Sequence, residues 1–164
     1  MIFVTVGTHE QQFNRLVEYM DVWASRHEES VVIQTGYSTY KPKYCEYKNF
    51  LPFQDMVSMV AKARIIITHG GPSSFIMPLQ IGKTPIVVPR QYKFNEHVND
   101  HQVKFCHQVK ERMGTIIVVD DVDRLNEVID RYDFIKKEGK NISNNEKFCE
   151  GLQSIVDIMF KDKK

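Results

Sequence analysis

The sequence predicts an α/β fold in which a parallel sheet is covered by helices on both faces. Short, wholly apolar runs such as Ile65-Ile66-Ile67 alternate with segments of helical spacing along the chain. Strands buried on both faces read as continuous apolar runs, which is the mark of a parallel sheet between helices. Glycine or polar turns follow the runs directly, as at Gly7-Thr8-His9, Thr35-Gly36 and Thr68-His69-Gly70-Gly71. That is where an open α/β sheet gathers its ligand loops.

The elements follow in order. Residues 2–6, apolar but for Thr5, run up to Gly7 and form a first strand. Residues 11–26 carry Phe13, Leu16, Val17, Met20 and Trp23 or Ala24 on one helical face. A second strand covers 31–34, and the Tyr- and Ser-rich stretch 37–44 with Pro42 reads as loop. A short strand is expected over 45–50, a helix over 54–63 and a strand over 64–68. A helix over 73–81 is closed by Gly82. Pro78 lies about one turn inside it, where a ring begins to cost a backbone hydrogen bond, so this helix is short or bent. A strand over 85–88, a helix over 98–112, a strand over 116–119 and a helix over 122–131 complete the alternation. Residues 136–145 read as loop and 148–160 as a terminal amphipathic helix with Phe148, Leu152, Ile155, Val156 and Met159 on its face.

The chain's 164 residues suit one domain over residues 1–164. Apolar residues make up 42% and charged residues 26%, which supports a packed core and excludes a disordered chain. A net charge of +1 argues against nucleic-acid binding driven by bulk charge. The three cysteines, Cys45, Cys106 and Cys149, form no CxxC pair, so reduced cytosolic thiols are expected rather than a disulfide framework or zinc site. The opening residues lack a basic stretch and read as a strand, not a signal peptide. No apolar run is long enough to span a bilayer.

Thr68-His69-Gly70-Gly71-Pro72-Ser73-Ser74 is the most telling segment. It joins a buried strand to a helix start. There glycines allow close backbone approach, and the first helical N–H groups and the dipole favour an anion. Gly7-Thr8-His9 is placed for the same ligand, or is an ordinary βα turn; no GxGxxG accompanies it. Leu51-Pro52-Phe53-Gln54 offers a ring that stacks on a base or staples inward against Val57. Arg90 and Lys93 offset a diphosphate's charge or are solvated. Glu96-His97-Val98-Asn99-Asp100-His101-Gln102 would lie at the same sheet edge. There Asp100 and Gln102 suit sugar hydroxyls, while Asn99 or Asp100 could cap the following helix. Asp120-Asp121-Val122-Asp123 reads as a helix cap. The layout suits a nucleotide-sugar.

Taken together, Val4-Thr5-Val6-Gly7-Thr8, the His69-Gly70-Gly71 loop, Pro85-Ile86-Val87-Val88-Pro89-Arg90 and Glu96 through Gln102 resemble the exopolysaccharide and capsule glycosyltransferases of the PssE type. These go with the C-terminal domain of glycosyltransferase family 28. They are similar also to the soluble catalytic subunit of the dolichol-linked N-acetylglucosamine transferase. The resemblance implies a Rossmann-like, C-terminal-type half of a GT-B enzyme that binds a UDP-sugar, commonly UDP-galactose. Gly7, Thr8, Gly70, Gly71, Pro72, Ser73 and Ser74 would hold the diphosphate, with His69 orienting the loop and Phe53 against the uracil. Asp100, His101 and Gln102 would meet the sugar. Where many relatives hold the ribose with an acidic residue, this chain has Met77, leaving the ribose to backbone or to Gln80. The resemblance also implies hexosyl transfer to a lipid-linked saccharide, without cofactor or metal, at the inner face of the membrane. A membrane-anchored partner would resemble the missing N-terminal half, and a homodimer is the expected association without it. The partner would bring the general base; within this chain His9 is the local alternative. The competing expectation is a noncatalytic nucleotide-sugar-binding subunit that activates a separate transferase.

Overall fold

A computed structural model describes residues 1–136. The expected loop after Lys136 and the helix over 148–160 lie outside the described residues. Six strands form one sheet: β1 Ile2–Thr5, β2 Val31–Gln34, β3 Glu46–Lys48, β4 Ile65–His69, β5 Ile86–Val88 and β6 Ile117–Val118. Their spatial order is β3-β2-β1-β4-β5-β6, and every pairing is parallel. The direction of winding reverses between β1 and β4, so their carboxyl ends open a crevice flanked by two turns.

The helices are α1 Asn14–Ala24, α2 Phe53–Lys62, α3 Pro72–Gln80, α4 His101–Met113, α5 Leu125–Asp130 and α6 Tyr132–Ile135. Alternate residues of each strand serve opposite faces. Ile2, Val4, Ile65, Ile67, Ile86 and Val88 pack with Leu16, Val17, Met20 and Trp23 of α1, and with Leu125, Ile129 and Tyr132. On the other face Phe3 and Ile66 meet Val60 and Ala63 beside α2, while Val87 meets Phe75 of α3 and Cys106 of α4. The sheet is therefore covered on both sides, as the apolar runs require.

Several boundaries differ from expectation for local reasons. The helix expected from residue 11 begins at Asn14, because Gln12 turns back and its Oε1 accepts from Asn14 N at 2.7 Å. The helix expected over 98–112 begins at His101. Asn95, in the left-handed conformation at φ 55°, diverts the chain first, and Asn99 Oδ1 accepts from His101 N at 3.0 Å. The helix expected over 122–131 is broken into a 3-10 turn Val122–Arg124, then α5 and α6. Asp121 Oδ1 does cap that turn, accepting from Asp123 N at 3.1 Å. Pro72 stands at the first position of α3, where its missing N–H costs nothing, and Pro78 is buried near its end, which limits the helix to nine residues.

Candidate functional site

A cleft of about 520 Å³ opens between the carboxyl ends of β1, β2 and β4. One side carries Gly7, Thr8 and His9 from the turn after β1, together with Ser73 and Ser74 from the first turn of α3. The other side is apolar, with Leu51, Phe53, Met56 and Met77. Its floor holds Thr5, Gln34 and His69. Such a cavity matches the size of small-molecule sites, and its division into a polar end and an apolar end suits a ligand with an anionic part and a flat ring. Phe53 is 72% exposed and Val57 43%, so the inward staple is not formed and the Phe53 ring stands at the lip. Met77 faces the cleft, whereas Gln80 does not line it.

Thr5 and Gln34 were not anticipated. They are register partners at the ends of β1 and β2, and Thr5 Oγ1 donates to Gln34 Oε1 in a very short hydrogen bond. The available signal was a polar residue closing an otherwise apolar run in both strands.

The glycines have packing roles. A side chain on Gly7 would come within 2.3 Å of His69 Cε1, and one on Gly71 within 2.3 Å of His69 Nε2. The buried His69 imidazole therefore fills the space over both. Gly7 also requires its positive φ of 75°. A side chain on Gly70 would meet Cys106 Sγ at 2.8 Å, so this glycine admits α4. On its Cβ side Gly71 therefore faces the His69 ring rather than open space.

Arg90 is corrected likewise. It is fully buried, and its guanidinium donates to the carbonyls of Val6, Gln11, Gln12 and Glu96 at 2.8–3.2 Å. It is a brace between two connections, β1–α1 and β5–α4, and is not free to meet a diphosphate directly. Gln102 and Asp100 are also engaged. Gln102 Oε1 accepts from Gly70 N and Arg90 N, both at 3.1 Å, tying the ends of β4 and β5. Asp100 Oδ1 accepts from Tyr92 N at 2.9 Å. Neither lines the cleft, nor do exposed His101 and Pro72, half-buried Gly71 and buried Gly70. Glu96, buried, accepts both ends of the Arg15 fork at 2.9 and 3.0 Å.

A second cleft of about 640 Å³ lies against α1, lined by Gln12, Arg15, Glu18, Phe94 and Glu96 among others. It is away from the strand ends, and its charged Arg15 and Glu96 are already paired. The β1/β4 crevice is therefore the better candidate despite its smaller volume.

Three imidazoles gather near Arg90. Burial, and next the Arg90 charge, hold His69 down to about 3, so it is neutral at any physiological pH. His69 Nδ1 is buried without a hydrogen-bond partner among the described residues. The rings of His9 and His97 lie 5.1 Å apart, tilted by 38°. Burial, Arg90 and His97 all lower the His9 pKa, against a smaller upward pull from Glu10.

Compared with known proteins, residues 1–158 match the model of the glycosyltransferase family 28 C-terminal domain. No curated protein matches the chain. Among solved structures it is similar to the glycotransferase of kitacinnamycin, with TM-score 0.53 and 19% identity over 84% of this chain and 38% of that one. It is similar to CalG4, the calicheamicin glycosyltransferase, with TM-score 0.54 and 18% identity over 79% and 34% of the two chains. SnogD from Streptomyces nogalater, also a glycosyltransferase, gives TM-score 0.50 and 14% identity, with 91% and 42% covered. At these identities the likeness is one of fold. The chain spans well under half the length of each of these three structures.

Proposed function

Because this chain belongs to the glycosyltransferase family 28 C-terminal domain family, we propose that it is the donor-binding half of a GT-B hexosyltransferase and that its donor is a UDP-sugar. The cleft at the β1/β4 reversal carries the reading. It sets Thr8, His9, Ser73 and Ser74 at a helix N-terminus, where a diphosphate is favoured. Opposite stand Leu51, Phe53 and Met56, suited to a uracil ring. Gly70, Gly71 and Pro72 then act through the loop they shape, with His69 as its inner support. With Met77 at the cleft, the ribose has Thr5, Gln34 and backbone groups as its polar neighbours. Asp100, His101 and Gln102 stand beyond the cleft, where Gln102 fixes the β4 and β5 ends and the sugar would have to reach.

In the reaction the anomeric carbon leaves the diphosphate oxygen, whose electron pair departs with UDP, and joins a hydroxyl oxygen of a lipid-linked saccharide. The hydroxyl proton passes to a base supplied by a second, membrane-anchored subunit that resembles the N-terminal half. This places the protein at the cytoplasmic face of a membrane, in exopolysaccharide or capsule synthesis, with galactose the expected sugar and no metal needed. No helix among the described residues is long and apolar enough to cross a membrane.

Calorimetric titration with UDP, UDP-galactose, UDP-glucose, UDP-N-acetylglucosamine and NADH tests the reading. Binding of UDP and one UDP-sugar, with none of NADH, is expected. Binding of NADH in preference to UDP would overturn it.

A further inference from the structure

His9 is the one imidazole that both lines the cleft and stands exposed at its mouth. Its ring is oriented by its own turn: the Gln11 backbone N–H donates to His9 Nδ1 at 3.2 Å. An imidazole nitrogen that accepts such a bond carries no proton, so in the neutral ring the proton sits on Nε2. Nε2–H is then the group left to face a ligand. A general base at this position would need the opposite arrangement, with a lone pair free toward the cleft. That lone pair is on Nδ1 and is already engaged.

The surroundings keep the ring neutral. Protonating Nδ1 would set two N–H groups against each other. Burial, then Arg90 from the end of β5 and His97 from the loop after it, oppose a positive charge on the ring, while Glu10 favours one. Ser73 and Ser74 of the α3 first turn share the polar end of the cleft with His9.

We propose that His9 is a neutral hydrogen-bond donor, giving Nε2–H to a diphosphate oxygen of the bound nucleotide, and is not the base of the reaction. This rests on the donor-site reading above. A fixed neutral donor aimed at the departing phosphate holds it without altering its own protonation state during turnover.

Two measurements on the full chain test it. Long-range proton–nitrogen NMR of the histidine-labelled protein reads the tautomer directly: His9 is expected as Nε2–H, titrating below the ordinary histidine value. UDP titrations of three variants read the role. A glutamine amide nitrogen reaches the place of Nε2, and an asparagine amide nitrogen that of Nδ1. His9→Ala and His9→Asn should therefore weaken UDP binding about tenfold or more, as for a lost bond to a charged group. His9→Gln should stay within about threefold of wild type on the same grounds. An Nδ1–H tautomer, wild-type affinity in His9→Ala, or His9→Gln as weak as His9→Ala each overturns the proposal while leaving the donor site intact. Failure of the wild-type chain to bind UDP overturns the donor reading, and this inference with it.

Discussion

At the residue scale, three side chains show what a local reading can and cannot reach. Phe53 was legible because Pro52 sets a helix entry and an aromatic there has either the core or a ligand to face. Its 72% exposure keeps it out of the core, and on the proposed reading leaves it for the base. Phe53→Ala should weaken UDP binding by about 1–3 kcal/mol, the worth of one ring stacked on a base. Its unfolding free energy should move by less than about 0.5 kcal/mol, because an exposed ring leaves no cavity. Equal losses in both titration and denaturation would show that Phe53 is structural. Gly71 was legible as a special position, and the structure adds a packing reason for it. The added methyl of Gly71→Ala meets His69 Nε2 at 2.3 Å, and His69 is itself pinned against Gly7. Overpacking of this kind costs about 1–3 kcal/mol. In a double-mutant cycle by urea denaturation, His69→Ala should remove most of that cost, and additive losses would rule out the contact. Arg90 was misread because a charge in a loop sequence carries no sign of whether it faces water. Four carbonyls converging on it decide that, and they come from two separate connections.

At the element scale, the stretch from Tyr40 to Cys45 looks like a featureless loop in sequence, yet α1 organises it through one carboxylate. Buried Asp21 accepts from Tyr40 Oη at 2.9 Å and from the backbone N–H groups of Lys43, Tyr44 and Cys45 at 2.7–3.0 Å. These bonds deliver the chain into edge strand β3, whose own three residues are exposed. Burial alone would raise the Asp21 pKa, but the hydrogen bonds outweigh it and the net shift is downward. A carboxylate depressed on folding stabilises the fold above its unfolded value of about 4, and that stability is lost as pH falls through the lower folded value. Asp21→Asn should therefore destabilise the protein by about 2 kcal/mol or more at pH 7. The gap from wild type should narrow below about pH 4, as denaturation curves over a pH series would show. A gap independent of pH would exclude the carboxylate's charge as the cause. The α4 boundary teaches a related lesson. Residues 98–100 read as the start of the helix, but Arg90 holds the Glu96 carbonyl and the helix begins only at His101, a capture that periodicity cannot register.

At the scale of the whole molecule, the β3-β2-β1-β4-β5-β6 sheet places its crevice at one reversal of winding, where the cleft lies. The chain covers 34–42% of the three glycosyltransferase structures to which it is similar. On the proposed donor-half reading, the 164-residue chain alone should bind UDP yet transfer no sugar from UDP-galactose to a lipid-linked saccharide. Transfer by the purified chain without any second protein would refute the two-part enzyme.

The sequence by itself determined the order of elements, the parallel sheet, the doubly covered core and the loops that reach the ligand edge. These depend on local periodicity and on turn residues, which neighbouring positions encode. Only the tertiary structure decided which polar residues face the cleft and which brace it. Thr5 and Gln34 became cleft floor because β1 and β2 are neighbours in register, and Arg90, Gln102 and Asp100 became braces because distant carbonyls and amide groups met them first. Side-chain hydrogen-bonding capacity is spent on whichever partner folding brings close, and some of those partners, Val6 for Arg90 and Gly70 for Gln102, lie tens of residues away along the chain.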